Sequence, residues 1–535
     1  MSFVKNDRSN EQLSLRDPWA LLSEREKQFL DKSWAKYFAE YVFPKIDETP
    51  YAVLYSKKDS RPNTPVNVQI GALILKEYTG QSDDDLLASM MFDIRYRYAL
   101  HTTGYAEQPM SDRTLGRFRE RCNAYEQETG IDLLHNTIES LASELATMMN
   151  IDRSLKRMDS MMVAANIKKL SRLELLYVTV SNLAEEVLRK EGKLPEELKH
   201  YTESGDRNLV IYHNKSDETE DKITKVLREA KMLEDYCNGN YDESSNFQLL
   251  IRVLREQAIW ENGAYRLRTA QDGGMHSEIL QNPSDPDATY REKAGKQHRG
   301  YAGNLVESAG ENGSIVTDYQ YETNNYSDSA FLKDSLDKMG PQENEVTIVA
   351  DGAFSGKGLS EAAAENNVTL VNTNLTGKEP DEFLAGFELN ESENRVLKCP
   401  AGYDAKSCSY NEKTGQFTVS FYKANCEHCP LKEKCHPKEY SKTCRKTFSA
   451  KGKRRAEQKK ERSTKEFKDF CHFRNGVEAL PSLLRRKFHV DRIPARGKLR
   501  SRFFFGCKIG ALNFGKFCRF LQSSTQSALP AVSHG

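Results

Sequence analysis

The sequence predicts an α/β protein in which a mixed sheet is flanked by helices. Helical spacing of apolar residues dominates residues 1–150 and the segment from about 168 to 280, whereas short β-rich runs fall between residues 300 and 371. The order of strand, hairpin, strand, helix and strand, followed by a later helix, fits one mixed sheet covered by helices. A chain of 535 residues has material for about two to four domains with cores of their own.

Charge is distributed unevenly along a chain whose net charge is zero. Residues 431–502 carry 24 Lys and Arg against 8 Asp and Glu, whereas residues 181–260 carry 12 against 17. A strongly basic C-terminal third indicates a polyanionic partner such as a nucleic acid. A solvated basic surface without a partner is the plainer interpretation of the same pattern.

The first 150 residues are predicted to be helical, and one of these helices carries a basic stripe. The helix that follows Ser111 places arginines four residues apart, at Arg113, Arg117 and Arg121. Such a stripe can follow DNA phosphates, because each guanidinium displaces condensed counterions on binding. An exposed face partly neutralised by Glu120 fits the same spacing. The predicted apolar face consists of Leu115, Phe118 and Cys122.

The charged helical segment from about 168 to 280 is interpreted as an insertion between the first strand and the rest of the sheet. A turn follows at Asp285-Pro286-Asp287, where the two aspartates are turn formers in the first interpretation and metal ligands in the second. An antiparallel hairpin is predicted around residues 310–313. Between the turn and this hairpin lie the basic residues Lys293, Lys296 and Arg299.

Three acidic residues stand in settings typical of a divalent-metal centre. Asp351 closes the β-rich run 346–350, which puts its carboxylate at the end of a strand, where ligands of open α/β sheets gather. Asp159 lies in residues 155–166, read as strand and then turn, and Glu478 precedes a basic helical run. Three oxygen ligands suit Mg²⁺ or Mn²⁺, although Asp-Gly after a strand is also an ordinary turn.

Six of the eleven cysteines fall within residues 399–444. Cys426 and Cys429 form a C-x2-C pair, a spacing that lets two thiolates bind one Zn²⁺ from a tight turn. We expect Cys399, Cys426, Cys429 and Cys435 to hold a structural zinc ion, because four ligands leave no open coordination position. The alternative ligands in this region are Cys408, Cys444, His428 and His436.

The chain contains no stretch that reads as a targeting or membrane segment. Residues 1–7 lack the apolar core of a signal peptide. The apolar stretch 503–521 contains Lys508, Lys516 and Arg519 and is predicted to be a core helix rather than a membrane span. A cytoplasmic location is expected.

Several short motifs, taken in order, resemble those of bacterial insertion-sequence transposases. Residues 54–121 resemble the InsH-type helical N-terminal domain of these enzymes. The later motifs resemble a DDE transposase of the branch numbered eleven-eighty-two among insertion sequences. These motifs are Met158-Asp159-Ser160, Val163-Ala164-Ala165-Asn166, Asp285-Pro286-Asp287-Ala288, Gly300-Tyr301, Ala350-Asp351-Gly352, Cys399-Pro400, Cys426-x2-Cys429-Pro430-Leu431-x3-Cys435 and Arg474-x3-Glu478.

The resemblance implies an RNase-H-like catalytic domain in which Asp159, Asp351 and Glu478 bind two Mg²⁺ or Mn²⁺ ions. It implies cleavage at the element's ends and strand transfer into target DNA by the freed 3′-hydroxyl. The expected partners are double-stranded DNA with terminal inverted repeats, target DNA and further copies of the chain, as a homodimer or larger assembly associated with the nucleoid. DNA contacts are also expected at Lys293, Lys296, Arg299, Arg474 and Arg485.

The same resemblance gives expected domain boundaries. The helical DNA-binding domain is expected at 1–150, the catalytic domain at 151–170, 280–375 and 465–522, the helical insertion at 171–279, a zinc-knuckle insertion at 395–445 and a disordered tail at 523–535.

The chain departs from the family's pattern near its third acidic motif. Cys471 stands where relatives carry a tyrosine, and Arg485 stands where they carry a lysine, a change that keeps a cation for phosphate. Pro481 limits the regularity of any helix that begins near Glu478. The three tryptophans lie outside the catalytic segments, so stacking of a flipped base on tryptophan has no candidate residue.

Two other functions fit parts of the pattern. One is a stand-alone metal-dependent DNA nuclease of the same fold, and the other is a catalytically dead DNA-binding relic. Short inverted repeats and a duplicated target beside the gene would favour transposition over both.

Overall fold

The computed structural model describes residues 1–6, 22–58, 60–102, 110–212, 218–274, 276–293, 295–356, 358–374, 379–390, 393–462 and 464–527. Internal contacts divide the chain into two units, one made of Met1–Phe331 with Ala479–Gly535 and the other made of Leu332–Glu478. Both units combine helices and strands, which confirms the predicted α/β class.

Most α-helices of the described residues lie in the segments predicted to be helical, whereas α11 and α13 to α16 lie outside them. They are α1 (Glu24–Asp31), α2 (Trp34–Tyr37), α3 (Val66–Thr79), α4 (Asp83–Phe92), α5 (Ile94–Ala99), α6 (Asp112–Thr129), α7 (Leu133–Met148), α8 (Arg172–Glu191), α9 (Thr219–Cys237), α10 (Ser245–Gln257), α11 (Asp328–Met339), α12 (Leu359–Glu365), α13 (Lys423–Glu427), α14 (Lys432–Cys435), α15 (Ala450–Glu461), α16 (Lys465–Asn475), α17 (Ala479–Arg486) and α18 (Lys498–Ser527).

The β-strands form larger sheets and two-stranded hairpins. They are β1 (Leu155–Ala164), β2 (Ala258–Glu261), β3 (Ala264–Leu267), β4 (Thr289–Lys293), β5 (Lys296–Gly310), β6 (Gly313–Thr323), β7 (Val346–Ala350), β8 (Val368–Asn372), β9 (Glu388–Asn390), β10 (Arg395–Lys398), β11 (Ser407–Asn411), β12 (Gln416–Tyr422), β13 (Lys438–Glu439) and β14 (Thr443–Ser449).

Strand β5 is the long strand around which the sheet of the first unit is built. It pairs antiparallel with β1, β4 and β6, and the Gly310–Gly313 pair closes the hairpin that the sequence predicted. Gly300 has a φ of +142°, and a Cβ at this position would lie 2.4 Å from the carbonyl oxygen of Val163 on β1. Glycine therefore permits the close approach of the two strands here.

Helix α18 forms the apolar centre of the first unit. It packs against α3, α6, α7 and β6, and its Phe505, Ile509 and Leu512 are almost completely buried, which confirms the predicted core helix. In the described ranges, no helix has the length and apolarity needed to cross a bilayer. The helix continues through Ser527, so the tail expected from residue 523 begins with helical residues. Residues 528–535 lie outside the described part of the chain.

Helix α4 begins at a capping box, and α6 confirms the predicted apolar face. Ser82 begins α4 with a capping box, in which its hydroxyl accepts the Asp85 N–H and the Asp85 carboxylate accepts the Ser82 N–H. On α6, the predicted apolar face is buried. Helices α8, α9 and α10 and the β2–β3 hairpin share an apolar core of their own within residues 171–280.

The second unit contains a parallel strand pair and a separate antiparallel sheet. Strands β7 and β8 pair in parallel, their order with α12 between them is the predicted one, and Asp351 follows β7 directly. Further along, β11, β12, β14 and β13 form an antiparallel sheet over a core that includes Phe417 and Phe448. The segment expected as a small zinc knuckle at 395–445 is therefore part of a four-stranded sheet that continues to Ser449.

A buried charge network ties the sheet of the first unit to α18. Glu307 on β5 is fully buried and accepts hydrogen bonds from Arg157 Nε on β1, at 2.6 Å, and from Lys516 on α18. Burial alone would raise the pKa of Glu307, but the adjacent Lys516 and Arg157 cations outweigh it and hold the pKa below its usual value. Loss of one partner would leave the other charges unpaired in a low-dielectric interior.

We expect Glu307→Gln to lower the free energy of unfolding by about 3 kcal/mol or more at neutral pH. Because the folded-state pKa is depressed, this contribution is present above the unfolded-state pKa, about 4.3, and shrinks as the pH falls through the folded-state value. Denaturant unfolding of wild type and Glu307→Gln, from neutral pH down to acid pH, measures this contribution to the free energy of unfolding. The control Glu144→Gln removes a surface pair with Lys45 and should cost less than about 1 kcal/mol. Equal losses in the two variants would show that the buried network does not stabilise the unit.

Candidate active site and metal-binding groups

Asp351 is held at the carboxyl end of β7. Its carboxylate accepts the backbone N–H of Ala353 and caps a 3-10 turn over Gly352–Phe354. The side chain remains about one-third exposed. A carboxylate capped in this way is fixed in direction while one side stays open to a ligand, as the sequence predicted for this position.

Glu478 lies between two helices rather than within one. Helix α16 ends at Asn475, residues Gly476–Glu478 form a 3-10 turn, and α17 begins at Ala479. Pro481 is the third residue of α17, in the first turn, where a missing N–H costs no intrahelical hydrogen bond. Glu478 therefore lies on a 3-10 turn that joins two α-helices, which agrees with the irregularity that Pro481 predicts for a helix near Glu478.

Arg474 lies between the two carboxylates of the second unit. Its Nη1 donates to Glu478 Oε1 at 2.7 Å, and its Nη2 lies 3.8 Å from Asp351 Oδ2. The residue is only 6% exposed. The sequence predicted a DNA contact for Arg474, but in this structure its guanidinium is occupied by the two acidic residues. Two carboxylates that share one buried cation form a place where positive charge is favoured.

Asp159 belongs to the first unit and lies in the middle of β1. Its register partner on β5 is Leu305, and its carboxylate accepts the backbone N–H of Ser160 at 3.0 Å. Pairing with β5 extends the strand to Ala164, and a bend follows at Asn166, which agrees with the interpretation of residues 155–166 as strand and then turn. The structure thus joins Asp351 and Glu478 through Arg474 within the second unit and places Asp159 on a strand of the first.

Asp285 and Asp287 accept hydrogen bonds from other segments of the first unit. Asp285 is fully buried and accepts the Tyr301 hydroxyl at 2.6 Å, and burial raises its pKa. Asp287 Oδ2 accepts the backbone N–H of Lys498 at 2.9 Å. These contacts favour a structural role for both aspartates over metal binding.

The arginine stripe on α6 is partly available to a ligand. Arg113 and Arg117 are exposed, whereas Arg121 is half-buried with its guanidinium 5.1 Å from the centre of the Tyr55 ring. A guanidinium on an aromatic face is stabilised there and less free to reach a phosphate. Two of the three predicted phosphate contacts therefore remain open to solvent.

A second group of basic side chains surrounds His298 in the first unit. Lys293 and Lys296 face each other across the β4–β5 hairpin. Burial lowers the pKa of His298, and the positive charges of Arg485, Lys293 and Lys296 lower it further. Arg299 lies over the Tyr290 ring. Arg485 donates to Met162 O on β1 at 2.8 Å and to Asp491. The Asp491 carboxylate opposes these cations at His298, and Arg485, Lys293 and Lys296 are the basic residues whose charges reach this ring.

Five cysteine thiols in the second unit are near neighbours. Burial raises the pKa of Cys426 to about 12, and the adjacent thiols of Cys444, Cys435 and Cys399 add to this rise. Burial also raises the pKa of Cys435, with further contributions from Cys399 and Cys429. Cys408 instead accepts the backbone N–H of Val396. Sequence reasoning favoured four of these five, and it ranked Cys444 among the alternatives.

The cysteine sulfurs are grouped without converging on one point. Among the residues that the structure describes, the set of three ligand side chains whose donor atoms all lie within 4.8 Å of one another is His135, Glu139 and Asp318. Thiols with raised pKa values are protonated and neutral at pH 7, whereas a bound cation would deprotonate them and draw them together. The donor set suits zinc in its chemistry.

Comparisons with known proteins give two matches to family models. The first, described as a transposase DDE domain, matches residues 398–518, and the second, described as a transposase domain (DUF772), matches residues 26–121. No curated protein and no solved structure matches the chain. The two family matches support an insertion-sequence transposase of the DDE type. A DDE domain implies the use of divalent metal ions. The matched stretches contain Glu478 and the cysteine group but neither Asp159 nor Asp351.

We expect Arg474→Met to make the protein more responsive to Mg²⁺. In the wild type, the guanidinium and a divalent ion compete for Asp351 and Glu478, so removal of Arg474 should tighten Mg²⁺ binding about tenfold, equivalent to about 1.4 kcal/mol. Thermal unfolding with and without Mg²⁺ measures the added stabilisation. Arg485→Met removes a similar charge in the other unit and is the control. An Mg²⁺ effect no larger than in wild type would show that Arg474 does not compete with the metal.

Proposed function

We propose that the chain is the transposase of an insertion sequence, which cuts DNA at the element's ends and transfers the freed 3′-ends to target DNA. The observation that carries this proposal is the shared contact of Asp351 and Glu478 with Arg474. The two family matches support it. The alternatives are a metal-dependent DNA nuclease and a catalytically dead DNA-binding relic. The presence of both carboxylates at one buried cation favours an active enzyme over the relic.

The proposed reaction centre consists of Asp159, Asp351 and Glu478 in an RNase-H-like domain. Its strands would be β1, β5 and β6, which are antiparallel, and the parallel pair β7 and β8. Two Mg²⁺ or Mn²⁺ ions bound by these carboxylates would activate water or a 3′-hydroxyl and stabilise the departing oxygen. Asp351 supplies a directed carboxylate because Ala353 fixes it, and Arg474 keeps Glu478 beside it when no other cation is present.

The proposed DNA contacts follow the charge distribution of each unit. In the first unit, Arg113 and Arg117 are exposed on α6, and the charges of Lys293, Lys296 and Arg485 each lower the pKa of His298. Arg121 and Arg299 rest on aromatic rings and would contribute charge more than direct contacts. Such contacts position a duplex through its phosphates without reading its sequence. Multimeric assembly on paired element ends and association with the nucleoid belong to the same proposal.

The proposed zinc site uses Cys399, Cys426, Cys429 and Cys435 as thiolate ligands. The C-x2-C pair begins in α13, and the N–H of Cys429 bonds to the carbonyl of Cys426 in a tight turn. Cys444 on β14 lies in the same group and is available to replace one of the four. A four-thiolate site is closed to substrate, so its role would be to hold the short helices α13 and α14 on the sheet.

We expect purified protein to nick or join DNA that carries the cognate ends only when Mg²⁺ or Mn²⁺ is present. Asp351→Ala should abolish this activity while DNA binding, measured by mobility shift, stays within about twofold of wild type, because the carboxylate binds metal rather than phosphates. Asp287→Ala, which removes a carboxylate outside the proposed centre, is the matched control. Cleavage by Asp351→Ala would remove this residue from the reaction centre.

The products distinguish the proposal from its alternatives. Joined products with a short duplicated target indicate transposition, whereas cleavage without joining on paired ends indicates a nuclease. Metal-independent DNA binding with no cleavage by the wild type would indicate the relic.

We expect freshly reduced protein to carry about one tightly held zinc ion in its cysteine group. Elemental analysis after exhaustive dialysis should show a lower zinc content per chain in Cys429→Ser than in wild type. Cys408→Ser is the control and should keep the wild-type zinc content, because that thiol accepts the backbone N–H of Val396. Equal zinc contents in Cys429→Ser and wild type would overturn the assignment.

A further inference from the structure

A cluster of one histidine and two carboxylates joins α7 to β6 in the first unit. His135 and Glu139 stand four residues apart on the same face of α7, and Asp318 projects from β6. His135 Nε2 lies 2.9 Å from Asp318 Oδ1 and 3.9 Å from Glu139 Oε2. All three donor atoms lie within 4.8 Å of one another. The motifs of the proposed active site include none of these residues.

The separations suit three ligands of one metal ion. Nitrogen and oxygen donors about 2.1 Å from a common ion lie about 3.0–3.4 Å apart in octahedral or tetrahedral geometry. The two distances from His135 Nε2 fall on either side of this range. Small side-chain movements would therefore complete the coordination.

The arrangement differs from that of an ordinary histidine between acidic groups. His200, in the helical insertion, also contacts two carboxylates, but it uses opposite nitrogens: Nδ1 lies 2.9 Å from Asp206 and Nε2 lies 3.4 Å from Glu229. That geometry is a chain of hydrogen bonds in which each nitrogen has its own partner. At His135, a single nitrogen faces both carboxylates, so the three donor groups converge.

The local structure fixes the cluster and leaves one side open. Asp132 caps α7 by accepting the backbone N–H of His135, and the His135 ring packs against Tyr319 at 4.4 Å between centroids. The His135 and Asp318 side chains are about 15% exposed, and Glu139 is 40% exposed. Two ligands are therefore held by packing, while water can reach an ion from the side of Glu139.

Charge favours a divalent ion at this place. Two carboxylates whose oxygens lie within 4.8 Å repel each other unless positive charge lies between them. One imidazole and two carboxylates form a borderline-to-hard ligand set that suits Zn²⁺, Co²⁺ or Mn²⁺ and differs from the thiolate set of the cysteine group.

The geometry points to a structural divalent-metal site formed by His135, Glu139 and Asp318, with zinc as its expected occupant. The ion clamps α7 to β6 and so fastens a helix of the N-terminal region onto the sheet of the same unit. It requires neither Asp351 nor Glu478 and is independent of catalysis.

Zinc content of the full-length protein tests this site. Wild type, His135→Ala and Asp318→Asn are equilibrated with micromolar Zn²⁺, dialysed, and analysed for zinc per chain. Loss of one ligand should weaken this ion at least tenfold, so both variants should retain about one ion fewer than wild type. His200→Ala and Asp351→Asn should retain the wild-type content, because the first alters a histidine with divergent contacts and the second alters the proposed reaction centre.

A stability measurement accompanies the metal analysis. A metal chelator should lower the thermal unfolding midpoint of wild type more than that of Asp318→Asn. Asparagine has nearly the same side-chain shape as aspartate, so this variant removes the charge of the ligand and little of its packing. Equal zinc content in wild type, His135→Ala and Asp318→Asn would overturn the proposal and leave the cluster as an ion pair. Loss of the ion from Asp351→Asn as well would also overturn it, since the metal would then belong to the reaction centre.

Discussion

The contact of Arg474 with Asp351 and Glu478 is the interaction on which the account of function depends. Two carboxylates repel each other when they approach, and a cation between them removes that cost. The second unit achieves this because α16 packs against β7, which brings Arg474 to the strand end where Asp351 lies. Glu478 follows Arg474 by four residues and reaches the same guanidinium. The fold thus gathers negative charge where we propose that a divalent ion binds, and Arg474 supplies positive charge there.

The sequence reveals the parts of this site that depend on local patterns. The β-rich run before Asp351 and the glycines that bound the β5–β6 hairpin determine those elements without distant contacts, and both were predicted. Pro481 indicated an irregular helix near Glu478, and the structure has a 3-10 turn there, but helical periodicity alone does not show where such a turn falls. The burial of Arg474 could not be predicted, since it depends on the packing of α16 against β7.

Contacts between distant segments explain what else the sequence did not reveal. Asp318 meets His135 through the packing of α7 on β6, and nothing in either local sequence marks them as neighbours. Cys444 joins the other thiols because β14 pairs with β12, which leads directly into α13 and Cys426. The cysteine group and the cluster at His135 differ in the ions that they suit, since soft thiolates suit a closed zinc site and carboxylates suit harder ions. Metal ions would therefore stabilise each unit apart from any part they take in catalysis.

The most direct test of the central claim is to locate the bound metal ion along the polypeptide. Fe²⁺ in place of Mg²⁺, with ascorbate and peroxide, generates hydroxyl radicals that cut the backbone beside the ion, and mass spectrometry of the fragments locates the cuts. The His135→Ala variant is used because it lacks a ligand of the separate metal site proposed on α7 and β6. In this variant, the account predicts cuts beside Asp159, Asp351 and Glu478 that excess Mg²⁺ suppresses. Cuts confined to other segments, or cuts at Asp351 and Glu478 that Mg²⁺ leaves unchanged, would contradict it.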